Sequence, residues 1–438
     1  MRWSVPADKR VVEAVIATFC DPAERSFQRL SALQPGDWAR SYYWLDASGM
    51  ALYFLDRLQA LGIEGALPAA TLGRLRHNML DNRARTHCMF EEFTSINQAF
   101  LKAGVRFCNL KGFTLSPDSC PHPTLRSQLD FDFLVDGADL KLCREILAKT
   151  GYVLKVTTSR EWQFEAGSSM MARIEDHYRP RPQRSVELHF TCSDFAPHRP
   201  SRDERLDRLM LRSWSGLHFP VLSPGDQFLV QALHLLLHLR SAYTRPSWLL
   251  EYKRNLSVHR DERIFWDQVQ ESSRAHRYAP IAIGLATLLS TQLFGGGALA
   301  QLNEWTLDRL PTAVRRWADL YGRKAVLADN PGTKLHLLLE DELPCSDTSW
   351  RNKRRSLFPL RCETRIGHAD PNESLGKRLL REYYQARFVL FRLRFHVVEG
   401  LRYALEVWRW KRQLAAPESI TPTLAAERAC RAKAVAHD

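Results

Sequence analysis

The chain has 438 residues, of which 45% are hydrophobic and 25% charged, with a formal net charge of +13. Length and composition exclude a disordered or fibrous polymer and leave room for two or three domains; the charge favours an anionic partner such as a nucleotide, nucleic acid, anionic glycan or membrane surface. Nine cysteines, odd in number and without a C-x-x-C pair, argue against a disulfide framework and a zinc ribbon.

In chain order, apolar residues recur at helical spacing from Lys9 to Cys20 and from Asp46 to Leu61. A long helix is predicted over Ala69 to Ala103, with Leu72, Leu75, Met79, Met89, Phe90, Phe93, Ile96 and Phe100 as its buried stripe and Gly104 as its stop. Val105 to Leu110 reads as a strand that delivers the chain to Lys111-Gly112. In Leu129 to Phe133 apolar and acidic residues alternate, so a strand would bury Leu129, Phe131 and Phe133 and place Asp130 and Asp132 on its other face. Asp139 is predicted to cap a helix that Gly151 ends. The runs Val153 to Val156, Trp162 to Phe164, Met171 to Ile174 and Val186 to Phe190 read as antiparallel strands.

The Pro- and Ser-punctuated passage from Phe195 to Arg202 is predicted to separate these strands from a second helical region, entered at Ser223-Pro224-Gly225-Asp226. The last long helix, Leu375 to Leu414, carries ten Lys/Arg against three Glu, a balance that suits an anionic surface, a membrane included. The expected class is α+β: a small mixed or antiparallel sheet flanked by helical regions. Its expected divisions are helical 1–104, sheet core 105–194, helical 195–415 and a disordered tail 416–438. With no apolar leader and no apolar run of about 18 residues, the expected location is the cytoplasm.

Two carboxylates on one strand face, roughly 6.5–7 Å apart, can grip one or two divalent cations. Glu187, in the alternating run Ser185 to Phe190, is the candidate third carboxylate, and His189 would face the same side. Lys111 and Gly112 supply a point charge and a glycine turn for phosphate. Arg126 reads as a phosphate contact or as an ion pair orienting Asp130 or Asp132. His234 and His238 share a helix face, and without an H-E-x-x-H arrangement they read as packing or substrate contacts, not as a zinc site.

Leu110-Lys111-Gly112, Arg126 four residues before Asp130, Asp130-Phe131-Asp132-Phe133-Leu134-Val135, Gly151-Tyr152 and Val186-Glu187-Leu188-His189-Phe190 resemble the pattern of the bacterial family called uncharacterised nucleotidyltransferases. That family is similar to the superfamily typified by DNA polymerase beta. The resemblance extends from about Trp44 to Leu256, and further on His234, His238 and Trp248-Leu249-Leu250-Glu251 are similar too. It implies a nucleotidyltransferase-type sheet and transfer of a nucleoside monophosphate from an NTP, ATP being the expected one, to a hydroxyl acceptor with release of pyrophosphate. It also implies two Mg²⁺ ions, or Mn²⁺, on Asp130, Asp132 and Glu187, with Lys111, Gly112, Thr114, Arg126 and His189 as the nucleotide- and phosphate-binding set. Acceptor candidates are a protein hydroxyl, a small molecule and RNA. Phe113 departs from the superfamily, which has Gly or Ser there, and Glu251 stands where the narrower family often has Asp. The rival expectation is a catalytically inactive nucleotide- or partner-binding module with the basic C-terminal helix as its interaction surface.

Overall fold

The computed structural model describes residues 6–167, 177–180, 184–193, 196–296, 299–343, 356–357 and 374–415. The strand expected at Met171 to Ile174 and the tail 416–438 lie outside these residues. Five α-helices come first among the described residues: α1 (Lys9–Ala17), α2 (Ala23–Ser31), α3 (Pro35–Ala47), α4 (Met50–Leu61) and α5 (Ala69–Lys102). There follow β1 (Phe107–Leu110), β2 (Asp130–Val135), α6 (Leu140–Lys149), β3 (Val153–Thr157), β4 (Glu161–Ala166), β5 (Arg184–His189), β6 (Thr191–Ser193), β7 (Ala196–Ser201), β8 (Met210–Trp214) and β9 (Leu217–Val221). Helices α7 (Pro224–Leu239), α8 (Pro246–Val258), α9 (Arg263–Arg274) and α10 (Ala279–Phe294) lead into shorter helical turns and the long helix Leu375–Ala415.

The fold is α+β, with helical regions on either side of an open, mixed, seven-stranded sheet of order β3-β4-β5-β2-β1-β9-β8. The hairpins β3/β4, β4/β5, β1/β2 and β8/β9 are antiparallel, whereas β2 lies parallel to β5 and β1 parallel to β9. Two expectations about the sheet need correcting. The passage from Phe195 to Arg202, read as a separator, contributes β7, which pairs with β6 as a two-stranded ribbon. Further on, Met210–Val221 supplies two more strands of the main sheet, joined by Ser215 and Gly216, both at positive φ (+49° and +85°) as a tight hairpin requires.

Alternation along β2 splits its side chains as period two dictates. Phe131, Phe133 and Val135 enter a core with Phe93, Ile96 and Phe100 of α5 and Leu140, Cys143 and Leu147 of α6, while Leu134 lies in a smaller cluster on the opposite face with Cys108 and Leu222. Leu129, expected to be buried, precedes the strand and is exposed. Asp139 does occupy the N-cap position of α6, but its carboxylate accepts the Arg106 backbone N–H at 2.8 Å and not one from the helix. Ser223 caps α7 as expected, accepting the Asp226 N–H at 3.3 Å.

Helix α5 spans both cores. Its N-terminal half buries Leu75 and Met79 in the helical core shared by α1–α4 and α7–α10, and its C-terminal half buries Phe93, Ile96 and Phe100 under the sheet. The long C-terminal helix adds Tyr403 and Trp410 to the helical core, yet leaves Leu379, Leu390, Leu393, Val397, Leu401 and Trp408 exposed. No described helix is long and apolar enough to cross a membrane.

Phe93 meets Phe90, Phe113, Phe131, Phe133 and Phe219 with ring centroids 4.9–6.5 Å apart. Truncating it empties the centre of the sheet-side core, so Phe93→Ala is expected to cost about 3–5 kcal/mol in urea unfolding.

Candidate active site

Parallel pairing of β2 and β5 puts Asp132 directly beside Glu187 and Asp130 beside Ser185. On the other flank β1 pairs Leu110 with Asp132, so the chain leaves β1 at Lys111 next to the same carboxylate. Lys111 and Gly112 both turn at positive φ (+50° and +51°), and a Cβ on Gly112 would stand 2.6 Å from Gln128 Oε1. The left-handed φ favours glycine here, and a Cβ would oblige the end of the Gln128 side chain to shift. The turn brings Lys111 Nζ to 2.6 Å from Asp132 Oδ1, and His189 Nε2 approaches the same oxygen to 3.0 Å.

One ligand atom each from Asp132, Glu187 and His189 lies within 4.8 Å of the others. Asp130 is next along the same strand face but outside that group. Strand β4 adds two residues that the sequence analysis passed over: Gln163 Nε2 reaches Glu187 Oε1 at 3.4 Å, and Glu161 lies 3.7 Å from His189 Nδ1. The signal was the same polar alternation, Glu161-Trp162-Gln163, on a strand already predicted.

The charges are tightly coupled. Burial would raise the Asp132 pKa, but Lys111 and His189 outweigh it and hold the carboxyl well below the usual range. Burial, then the neighbouring Asp132 and Glu187 charges, push Asp130 up to about 6. Burial disfavours charge on His189 as well, yet its hydrogen bonds to Asp132 and Glu187 prevail and raise it to about 9.

Thr114 and Arg126 are engaged differently from the sequence expectation. The Thr114 hydroxyl is buried and donates to the Lys111 carbonyl at 2.7 Å, tightening the turn. Arg126 does not pair with Asp130 or Asp132: its Nε is 3.2 Å from Oε1 of Glu251, a buried residue of α8 that also accepts the Tyr53 hydroxyl at 2.8 Å. Phe113 points away from the turn into the core, against Phe90, Phe93 and Trp214. Its bulk is thus accommodated behind the turn.

A cleft opens beside Lys111, walled by Arg126, by Gln231 and His234 of α7, and by Trp248 and Glu251 of α8. The rings of His234, His238 and Trp248 form one cluster with centroids 4.3–4.9 Å apart. Burial and the Lys111 charge hold His234 well below its ordinary pKa, and burial with the same charge lowers His238 to about 4.

A family model described as "uncharacterised nucleotidyltransferase" matches residues 34–295. The chain belongs to this family. No curated protein matches it. The match runs from the start of α3 to the end of α10, so this nucleotidyltransferase family takes in the sheet, its carboxylates and the helices that wall the cleft.

Two outcomes are expected. Glu251→Ala takes the ion-pair partner from the largely buried Arg126 and one hydrogen bond from the Tyr53 hydroxyl, and should lower stability by about 3 kcal/mol in urea unfolding. Because burial holds His234 and His238 below their ordinary pKa, the unfolded chain takes up protons below about pH 6.5 that the folded chain refuses, at His238 until about pH 4. Stability contributed by these groups is therefore lost as pH falls through that window, and urea midpoints at pH 7 and pH 5 should differ less in the His234→Gln/His238→Gln variant.

Proposed function

We propose that this nucleotidyltransferase moves a nucleoside monophosphate from an NTP, ATP being the expected donor, to a hydroxyl acceptor in a reaction that depends on Mg²⁺ or Mn²⁺. The observation that carries the reading is the register of β2 on β5, which sets Glu187 beside Asp132 within reach of Lys111 and His189. The donor set fits a hard cation: two carboxylates and an imidazole converge, and carboxylate oxygen is the ligand such ions prefer. Asp132 and Glu187, with His189 once it yields its proton, would hold one ion, and Asp130 with Asp132 a second. When bound, these ions would neutralise phosphate charge and polarise the α-phosphorus.

The chain's own groups divide the remaining work. Lys111 offers a point charge to the triphosphate, and the Lys111-Gly112 turn allows close approach of phosphate to backbone. Glu187 takes the proton from the acceptor hydroxyl as its oxygen bonds to the α-phosphorus, and the bond from that phosphorus to the bridging oxygen breaks to release pyrophosphate. Arg126, held by Glu251, stands between the phosphates and the helical wall. Helices α7 and α8 form the acceptor side, where a protein hydroxyl, a small molecule or an RNA end is a candidate and the net charge of +13 favours an anionic one. A cytoplasmic location suits the NTP donor.

The test is label transfer from α-labelled NTPs by the full chain with Mg²⁺, alone and with lysate supplying acceptors. Transfer is expected, and Asp130→Ala, Asp132→Ala or a chelator should each reduce it by about a hundredfold or more. Nucleotide binding without transfer under every acceptor supply would instead identify an inactive binding module.

A further inference from the structure

The cleft beside Lys111 has a neighbour. A second cleft lies between the start of α4 and the start of α8, lined by Gly49, Tyr53, Ser127, His177 and Ser247 and containing Arg245. Arg126 and Trp248 line both clefts and form the partition between them. Other cations near the carboxylates are already matched: Lys111 holds Asp132, and Arg126 holds Glu251. Arg245 is different. It is half-buried, and its side chain makes no hydrogen bond or ion pair with any described residue; its guanidinium rests on the Trp248 ring, 5.3 Å from the centroid.

A half-buried guanidinium that no carboxylate touches is only partly satisfied, and contact with an indole offsets part of the cost of its partial desolvation. Burial lowers the Arg245 pKa and the Arg126 charge adds to this, while the Asp130 and Glu251 carboxylates oppose it from beyond ion-pair distance. A guanidinium is a planar fork whose paired N–H donors match the oxygens of a phosphate, and Trp248 gives this one a surface to rest on.

Resting on the metal-dependent transfer proposed above, we propose that Arg245, braced on Trp248, is a binding subsite for a phosphate group carried by the acceptor. The partition decides the assignment. The nucleotide's phosphates belong with the Lys111-Gly112 turn on one side of Arg126, and Arg245 stands on the other. The acceptor is then a phosphorylated hydroxyl compound whose phosphate anchors it while its hydroxyl reaches toward the carboxylates.

Titration calorimetry of inorganic phosphate into the full chain, saturated with Mg²⁺ and α,β-methylene ATP, tests this. Phosphate uptake is expected in the parent protein, weakened about tenfold or more in Arg245→Gln and less in Arg245→Lys, which keeps the charge but loses the fork. Affinity for the ATP analogue should stay within about twofold in both variants, and melting temperatures establish that they fold. No phosphate uptake by the parent, equal uptake by Arg245→Gln, or a tenfold loss of analogue affinity in Arg245→Gln overturns the assignment. Asp132→Asn reports on the underlying reading separately. It should abolish Mg²⁺-dependent analogue binding while phosphate uptake remains sensitive to Arg245; unchanged Mg²⁺-dependent binding would defeat the metal reading instead.

Discussion

A carboxylate with only 3% of its side chain exposed governs the centre of this protein. Asp132 sits in the middle of a sheet with Glu187 beside it and Asp130 two residues away, and such a concentration of buried negative charge is unstable unless cations are built in. Lys111 and His189 are those cations. Lys111 can reach Asp132 because β1 ends opposite it and the chain then turns through two residues at positive φ. The shape of the turn, the identity of Gly112 and the placement of His189 are thus parts of one electrostatic solution. Asp130 has no such direct ion pair, and burial together with the Asp132 and Glu187 charges raises its pKa.

The helices hold this arrangement by two routes. Behind the sheet, α5 inserts Phe93 and Phe100 beneath β1 and β2 while its other half is embedded in the helical core. In front, Glu251 of α8 draws together Arg126, on the approach to β2, and Tyr53 of α4. Sheet and helical body are therefore joined by a greasy contact on one side and a buried polar one on the other. The polar contact is the more demanding of the two, since removing either partner strands the other's charge.

Much of this was legible in the residues. The alternation Asp130-Phe131-Asp132-Phe133 sorted the β2 faces correctly, and the apolar period marked α5 almost to its ends, because both patterns arise from local geometry. What escaped depends on distant partners. Arg126 and Glu251 are 125 residues apart, and nothing local in the chain announces that they meet. Leu129 looked like a strand residue by alternation, but the ladder to β5 begins only at Asp130. Strands β8 and β9 were missed although Ser215-Gly216 is a recognisable hairpin signal and Leu217, Phe219 and Val221 alternate into the core; β8, with exposed Met210 and Leu211 side by side, lacks the alternation of a half-buried strand.

Phe113 has a consequence for how ligands are received. Its ring is locked among Phe90, Phe93 and Trp214, directly behind the Lys111-Gly112 turn, while the Gln128 side chain stands against Gly112. A glycine turn on its own would have to surrender conformational entropy each time a ligand docked, and affinity would suffer accordingly. Here that ordering is completed when the aromatic core forms. The receiving surface is rigid before any ligand arrives, so adaptation to ligands of different shape has to come from the side chains of α7 and α8 across the cleft.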